Sequence, residues 1–393
     1  MASVRKTATK LADGRDFFYF DDSEPYVSGQ ATRRLDDPRP LADRFAPVPG
    51  PDGTETPFTG PIMRYDVLTG DWIPMAAHRM NRTFMPPADA NPFAPAREGA
   101  EYQDGEIPDT DYDVVVFENR FASLMQVPGV PDKVRYLDNN HLFPERPAAG
   151  RCEVICFGPR LDENLVSMGP KRMRTVIEAW VDRTRELSQM PGIEQVFVFE
   201  NHGEAIGVSL HHPHGQIYAY PYITPYTEKM MRQAKAYRQS HGKNLLSAVL
   251  EAELESGERI VAQSEHWVLY VPSAARWPVE MHLAPKRQVP DLPSLTEEEK
   301  ADLSEFYLKM LRAGNKFHVA ADGSPVDLPY VAGWHQAPRE AQLDLRLHLQ
   351  LISIQRSPDK LKYLAGSESG MFAWISDTTP ERIAARLREV WED

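Results

Sequence analysis

Cysteine is scarce in this sequence. The chain has two cysteines in 393 residues, Cys152 and Cys156, both in the strand-like stretch "RCEVICFGP". Two cysteines cannot form a zinc site built from cysteine pairs, and such scarcity is typical of a reduced intracellular protein. We therefore expect both cysteines to be small buried residues, and we expect the protein to be cytoplasmic.

The sequence also lacks a long apolar run and an excess of positive charge. No stretch reaches the roughly 18 apolar residues that a membrane span needs, and "MASVRKTATKLADG" lacks the apolar segment of a signal peptide. We therefore expect no membrane association. The net charge of −13 argues against a general nucleic-acid binder, although local arginines could still bind a small phosphorylated ligand. The charged stretch "RDFFYFDDSE" predicts solvated surface.

Proline is plentiful, with 34 residues, and it concentrates near the beginning of the chain. Residues 1–60 are rich in Pro, Gly, Asp and Arg, which predicts an extended arm rather than a core. Regular structure is expected from "MRYDVLTGDWIPMA", in which "LTGD" predicts a turn between two strands. We predict three parts: an arm over 1–60, one unit over 61–245 and a second over 246–393.

The two halves of the chain repeat one order of elements. In the first, "YDVVVFEN", "RCEVICFGP", "QVFVFENHG" and "HHPHGQIYAYPY" predict strands, and "MGPKRMRTVIEAWVDRTRELSQM" has helical apolar spacing. In the second, "EHWVLYVP", "PVEMHLAPK", "LPYVAGWHQAP" and "LDLRLHLQLISI" predict strands, and "LTEEEKADLSEFYLKMLRAG" predicts a helix with a capped start at Leu295 to Glu298. His214 then corresponds to His348, and Gln216 to Gln350. The pattern predicts an α+β fold of two related units, each an antiparallel sheet with helices packed on it.

The segment "LHHPHGQIYA", residues 210–219, contains three of the twelve histidines. In an extended strand His212, His214 and Gln216 would share one face, which suits an anion better than a core. Three interpretations compete: a polar surface strand, a divalent metal site, and nucleophilic catalysis on a phosphate ester. Neutral imidazole is a good nucleophile, and an amide N–H can donate to a phosphate oxygen without proton transfer.

The residues "HPHGQIYA" resemble the active-site signature of galactose-1-phosphate uridylyltransferases, the transferase branch of the histidine triad superfamily. The resemblance extends in order from about Arg64 to the end of the chain, and it implies two histidine-triad-like units with a half-barrel-like core. In the hydrolase branch a third histidine usually occupies the position of Gln216. Glutamine cannot pass protons to water, which favours transfer over hydrolysis.

The resemblance also implies roles for individual residues. His214 would be the nucleophile, His212 would orient it, and Ser209 and Gln216 would stabilise developing charge. The implied substrate-binding residues are Arg79 and Arg82 on phosphate oxygens, Asn119 and Phe121 toward the nucleoside, Asn201 and Gly207 around the phosphates, and Lys362, Gly366 and Glu368 in a sugar-binding segment.

The implied reaction is a double displacement. His214 attacks the α-phosphorus of UDP-glucose, releasing glucose 1-phosphate, and galactose 1-phosphate then takes the uridylyl group to give UDP-galactose. The family also implies a homodimer in which Lys362 to Glu368 reach the partner's site.

The chain departs from the family at two metal sites. Many members carry a Cys-x-x-Cys zinc pair where this sequence has Asn91 and Ala94, so we expect no cofactor and no structural zinc. A second site in some members uses a glutamate and three histidines, of which His335 and His348 remain, while Gln350 replaces the third. We predict that His335 and His348 are core or hydrogen-bonding residues. Phe372 and Trp374 stand where sugar-contacting residues would lie, which leaves the sugar open.

Two other hypotheses stay open. A related nucleotidyltransferase could use another base or sugar phosphate, as an ADP-sugar phosphorylase or a specialised-metabolism enzyme would, because fold does not fix substrate. Alternatively, the scaffold could be a non-catalytic protein that binds nucleotide sugars or metals. Retention of His214, Gln216, Ser209, Asn201 and Arg79 argues against this second alternative.

Overall fold

The structure is a computed structural model that describes residues 4–49, 54–77, 86–87, 90–96 and 105–392. Contacts divide the chain into two units. The first comprises residues 1–162, 182–196 and 214–228, and the second comprises residues 163–181, 197–213 and 229–393. The three-part division at residues 60 and 245 stays a prediction.

Among the described residues, ten strands precede the first α-helix, and strands and helices are interspersed in the rest of the chain. The strands are β1 (Arg5–Lys10), β2 (Asp16–Asp21), β3 (Val48–Pro49), β4 (Glu55–Thr56), β5 (Ile62–Asp66), β6 (Asp71–Met75), β7 (Val114–Glu118), β8 (Arg135–Tyr136), β9 (Pro144–Pro147), β10 (Arg151–Cys156), β11 (Gln195–His202), β12 (His214–Tyr220), β13 (Ile260–Gln263), β14 (Trp267–Tyr270), β15 (Val279–Pro285), β16 (Tyr330–His335), β17 (His348–Ser353), β18 (Gln355–Ser357) and β19 (Lys360–Leu361). The helices are α1 (Leu165–Ser188), α2 (Pro225–His241), α3 (Leu245–Ser256), α4 (Glu297–Asn315), α5 (Gly366–Met371) and α6 (Pro380–Val390).

The first unit contains an antiparallel sheet in the order β1-β2-β7-β10-β12. A smaller sheet has the order β6-β5-β9-β8, and its β5–β6 hairpin confirms the predicted turn at "LTGD". Along β12 the residues alternate: Gly215, Ile217 and Ala219 are buried, whereas His214 and Gln216 are half-buried. Alternation of this kind covers one face of a strand and leaves the other available to a ligand.

The beginning of the chain differs from the expected solvated arm. Strands β1 and β2 extend the sheet of the first unit, and Phe17 and Tyr19 of "DFFYFD" are fully buried. The interpretation of "RDFFYFDDSE" as solvated surface is therefore wrong. The charges that suggested it are paired inside the protein, since Asp21 lies 2.7 Å from Arg33 and Asp16 lies 2.8 Å from Arg151.

The second unit contains an antiparallel sheet in the order β11-β16-β17-β15-β14-β13. Its core is aromatic: Trp334 lies 6.2 Å from Trp180 and 5.9 Å from Trp267, measured between ring centroids. Helix α4 begins with a capping box in which the side chains of Thr296 and Glu299 each accept a hydrogen bond from the other residue's backbone N–H. The predicted helix is confirmed, and its N-cap, Thr296, lies within the predicted start at Leu295 to Glu298.

The two units confirm the predicted α+β class and its internal repeat. Each has an antiparallel sheet with helices, and among the described residues both strand orders are open. Strand β12 begins at His214, with Gln216 two residues on, and β17 begins at His348, with Gln350 two residues on. In the described ranges no helix is long and apolar enough to cross a bilayer.

Candidate active site

The segment around Pro213 places two polar side chains at the start of a strand. Proline cannot donate to a sheet ladder, and β12 begins directly after it, at His214. In the register with β10, His214 faces Cys156 and Gln216 faces Val154. His214 and Gln216 therefore stand side by side on the half-buried face. The prediction that His212 shares this strand is wrong, because His212 precedes it and is only 1% exposed.

The amide of Gln216 has a fixed orientation. The hydroxyl of Tyr218, two residues further along the same face, donates to Oε1 of Gln216 at 3.2 Å. With its oxygen occupied, Gln216 directs its NH₂ group elsewhere, where it can donate to an anion. Tyr218 was not predicted from the sequence, although the alternation of residues along β12 places it on the same face as Gln216.

An aromatic ring contacts His214. The ring centroid of Phe93 lies 5.2 Å from that of the imidazole, and the two planes are inclined by 68°. Phe93 also packs edge-to-face on Phe117 of β7, at 5.7 Å. No local sequence signal could have identified this contact, because Phe93 and His214 lie 121 positions apart along the chain.

The predicted nucleoside-binding residues lie in a tight turn at the end of β7. Asn119 donates its backbone N–H to the carbonyl of Cys152, and its side-chain oxygen accepts from the backbone N–H of Phe121 at 2.8 Å. Both side chains are half-buried. This turn and the pair His214 and Gln216 belong to the first unit.

The second unit carries the predicted phosphate-binding residues Asn201, Gly207 and Ser209. Asn201 is half-buried on β11, opposite Val331 of β16. Gly207 has φ 82°, a left-handed conformation that suits glycine, and its N–H donates to the carbonyl of Glu204. Ser209 is half-buried in the segment that follows.

A buried carboxyl lies next to Asn201. Glu200 is 6% exposed, and burial raises the pKa of its carboxyl to about 7 although His202 opposes the shift. His202 stacks on Tyr330 with ring centroids 4.9 Å apart, and its Nε2 lies 2.9 Å from Asp327. No sequence pattern indicates Glu200, and its burial in the folded protein is the feature that marks it.

The predicted sugar-binding residues are brought together but are largely enclosed. Lys362 is 2% exposed, and its Nζ lies 3.5 Å from both Glu368 and Asp377 and contacts the carbonyl of Ile375. Glu368 is 6% exposed, and Gly366 begins α5. Their roles toward phosphate and sugar stay predictions. Arg79 and Arg82 lie outside the described residues.

The family's first zinc position has no suitable ligands here. Asn91 is buried, its side-chain oxygen accepts from the backbone N–H of Phe93 at 3.1 Å, and Ala94 has no ligand atom. These residues do not fit a zinc ion, which prefers thiolate and imidazole ligands. Over the described part of the chain, no group of three or more His, Cys, Asp or Glu side chains is arranged to hold a metal.

The histidines of the second position are hydrogen-bonded, as predicted. His335 donates from Nε2 to Oε1 of Gln350 at 3.2 Å, and Gln350 donates from Nε2 to Glu280 at 2.8 Å. His348 is 7% exposed and lies 3.2 Å from the carbonyl of Arg346. Burial lowers the pKa of His335 to about 4 and holds that of His348 well below its ordinary value, so both rings are neutral.

Known proteins resemble this chain over most of its length. Residues 58–224 match the family described as galactose-1-phosphate uridyl transferase, N-terminal domain, and residues 229–391 match the corresponding C-terminal domain. A galactose-1-phosphate uridylyltransferase of Streptomyces lividans is 39% identical over 98% of both chains. One from Thermotoga maritima is 34% identical over 83% of this chain and 98% of its own.

A solved structure agrees with the sequence comparisons. The structure described as a uridylyltransferase superimposes with a TM-score of 0.69 at 30% identity, covering 84% of this chain and 98% of the other. The matched region includes the strand that carries His214 and Gln216 and the second unit with His348 and Gln350. This chain belongs to the galactose-1-phosphate uridylyltransferase family, a family of nucleotidyltransferase enzymes.

Proposed function

We propose that this protein transfers UMP from UDP-glucose to galactose 1-phosphate, giving glucose 1-phosphate and UDP-galactose. The observation that carries the proposal is the pair His214 and Gln216, side by side on the half-buried face of β12. A nucleophile and an amide donor at that spacing suit an attack on phosphorus. Family membership and the names of the relatives support the choice of substrates.

The first half-reaction forms one bond and breaks one. The unprotonated ring nitrogen of His214 attacks the α-phosphorus of UDP-glucose while the other nitrogen keeps its proton. The bond from that phosphorus to the bridging oxygen breaks, and glucose 1-phosphate leaves with the electron pair. In the second half-reaction a phosphate oxygen of galactose 1-phosphate attacks the same phosphorus and the imidazole leaves, so no proton is consumed overall.

The other predicted site residues stabilise charge rather than move protons. Gln216 donates to a non-bridging oxygen of the transferred phosphate, with its amide held by Tyr218. The phosphates are bound by Ser209, Asn201 and the backbone at Gly207. Their negative charge is neutralised by Arg79 and Arg82. Asn119 and Phe121 bind the nucleoside, and His212 orients His214. The sugar phosphate is bound by Lys362, Gly366 and Glu368.

Hydrolysis is suppressed because no general base adjoins the nucleophile on its strand. Glutamine cannot accept a proton from water, so the uridylyl-histidine persists until a sugar phosphate attacks it. The protein works without a cofactor and without structural zinc. The hydrogen bond from Phe93 to Asn91 and the absence of a ligand atom at Ala94 support this part of the proposal.

The enzyme is a homodimer located in the cytoplasm. Exposed apolar side chains near Lys362 and Glu368 support an assembly that covers them, because monomeric proteins rarely expose several large apolar residues in one short segment. These side chains are Tyr363, Met371, Phe372 and Ile375. Both cysteines are buried and neither forms a disulfide, which is in keeping with a reducing compartment. Light scattering coupled to size exclusion tests the dimer.

Replacement of His214 tests the proposed activity. His214→Ala should abolish formation of UDP-galactose, because the covalent intermediate cannot form. His211→Ala is the matched control, since His211 lies in the same segment but is exposed and pairs with Glu204 at 3.4 Å. Full activity of His214→Ala would contradict the mechanism. Activity of the unsubstituted enzyme with ADP-glucose in place of UDP-glucose would favour the related nucleotidyltransferase instead.

A further inference from the structure

The imidazole of His214 is only half-buried, so its strand alone does not fix the direction of the ring. The register with Cys156 holds the backbone at this position, but the side-chain dihedral angles remain to be set. The ring of Phe93 lies 5.2 Å from the imidazole in an edge-to-face arrangement. We propose that Phe93 is a positioning residue that holds the His214 ring in the direction of attack. The inference rests on the proposed role of His214 as nucleophile.

Phe93 can position the His214 ring because several contacts fix its own side chain and backbone. Its side chain is 6% exposed and packs on Phe117 with ring centroids 5.7 Å apart. Its backbone N–H donates to Asn91 at 3.1 Å. The hydroxyl of Tyr112 lies 2.9 Å from its carbonyl oxygen and 2.8 Å from that of Gly158. Backbone and ring are thus both held.

The segment that carries Phe93 is also tied to the beginning of the chain. The carbonyl of Pro92 accepts the backbone N–H of Glu106 at 2.7 Å. The carboxylate of Glu106 lies 2.6 Å from Arg15, whose side chain is 2% exposed. Arg15 immediately precedes β2, a strand of the same sheet as β12. Contacts within the first unit therefore hold Phe93 beside His214, and residues near the start of the chain take part in them.

The expected consequence is kinetic. An in-line attack requires the ring nitrogen to point at phosphorus, and a displacement of about 1 Å can lower a rate roughly 100-fold. A leucine at this position keeps an apolar side chain but removes the aromatic ring beside the imidazole. Binding of UDP-glucose does not depend on the ring direction of His214, so the rate of attack should change and the affinity should not.

The test measures uridylylation of the enzyme in a single turnover. Rapid quenching followed by intact mass, at increasing UDP-glucose, gives a maximal rate constant and a half-saturating concentration. The variants are Phe93→Leu and Phe93→Met, which replace the ring by a branched and by an unbranched apolar side chain of similar volume. Phe17→Leu is the matched control, since Phe17 is fully buried and packs on Phe117, the ring that Phe93 also contacts. Unfolding midpoints show that all variants fold.

The maximal rate constant of both Phe93 variants should fall by at least about 10-fold, with the half-saturating concentration within about twofold of the original. Phe17→Leu should change neither. Equal rates for the Phe93 and Phe17 variants, or a loss confined to the half-saturating concentration, would overturn the inference.

If the unsubstituted enzyme forms no adduct, the proposed function fails, and crystal structures of the free variants then decide the inference. The inference expects the His214 ring to keep one orientation in Phe17→Leu and to change or split in Phe93→Leu. An unchanged orientation in Phe93→Leu would overturn it independently of activity.

Discussion

The hydroxyl oxygen of Tyr218 lies 3.2 Å from Oε1 of Gln216, and the two side chains share one face of β12. This hydrogen bond decides which end of the amide is available to a ligand. An amide without it could rotate and present an oxygen, which would repel a phosphate. The transferase character of the site thus depends on a pair of residues, since glutamine supplies the donor and tyrosine directs it.

Tyr218→Phe should therefore slow uridylyl transfer without weakening substrate binding. We expect kcat to fall about 10-fold, less than the loss of a whole donor, with KM for UDP-glucose within about twofold. Tyr220→Phe is the matched control, because Tyr220 is the next residue on this face and its ring lies 6.0 Å from that of Tyr218. Equal kcat values for the two variants would show that the hydroxyl of Tyr218 has no part in orienting Gln216.

Arg15 should be essential for stability because it neutralises two buried carboxylates. Its guanidinium lies 2.7 Å from Asp13 and 2.6 Å from Glu106, and all three side chains are less than 9% exposed. Arg15→Met should lower the free energy of unfolding by about 3–5 kcal/mol, because it leaves buried charge without a partner.

The exposed pair Arg34 and Asp36 supplies the comparison for Arg15. Arg34→Met should change the free energy of unfolding by less than about 1 kcal/mol. Urea unfolding at neutral pH measures both variants. A loss from Arg15→Met no larger than that from Arg34→Met would contradict the assigned role of the buried ion pairs.

Glu200 should make the protein less stable as the pH rises. Burial raises the pKa of its carboxyl from 4.5 to about 7, so the folded protein binds a proton here that the unfolded chain has released. Its contribution is complete below about pH 4.5 and is lost as the pH passes about 7, and that change is at most about 3 kcal/mol. His202, Tyr307 and Tyr330 surround this carboxyl and are unchanged in the test.

Glu200→Gln removes this contribution together with the part of the raised pKa of His202 that Glu200 causes, because glutamine has a similar shape and does not titrate. The variant should gain stability relative to the original protein between pH 5 and pH 8 in urea unfolding. The same difference in unfolding free energy at both pH values would show that the Glu200 carboxyl does not titrate in this range.

Much of the fold could be predicted from local patterns. The alternation in "HGQIYAY" and the apolar spacing of "MRTVIEAWV" correspond to β12 and α1, because strand and helix periodicity arise from neighbouring residues. Strand β2 could not be predicted in the same way. The charges around "DFFYFD" suggested solvent, and only the fold brings Arg33 and Arg151 to Asp21 and Asp16.

In the candidate site, too, some residues could be predicted from their sequence neighbours, whereas others depend on contacts with distant parts of the chain. The pair His214 and Gln216 follows from strand spacing and from the resemblance to a family. Phe93 does not, because its contact with His214 exists only once Tyr112 and Phe117 hold Phe93 in place. Burial of His212 and of Lys362 likewise depends on distant parts of the chain.

The most direct test of the central claim is the intact mass of the purified protein after incubation with UDP-glucose alone. Mildly alkaline conditions preserve a phosphoramidate of histidine. We expect a gain of one uridylyl group (UMP less one water), absent in His214→Ala, that disappears when galactose 1-phosphate is added and UDP-galactose forms. No gain in mass, or an equal gain in His214→Ala, would contradict a covalent uridylyl-histidine at this strand.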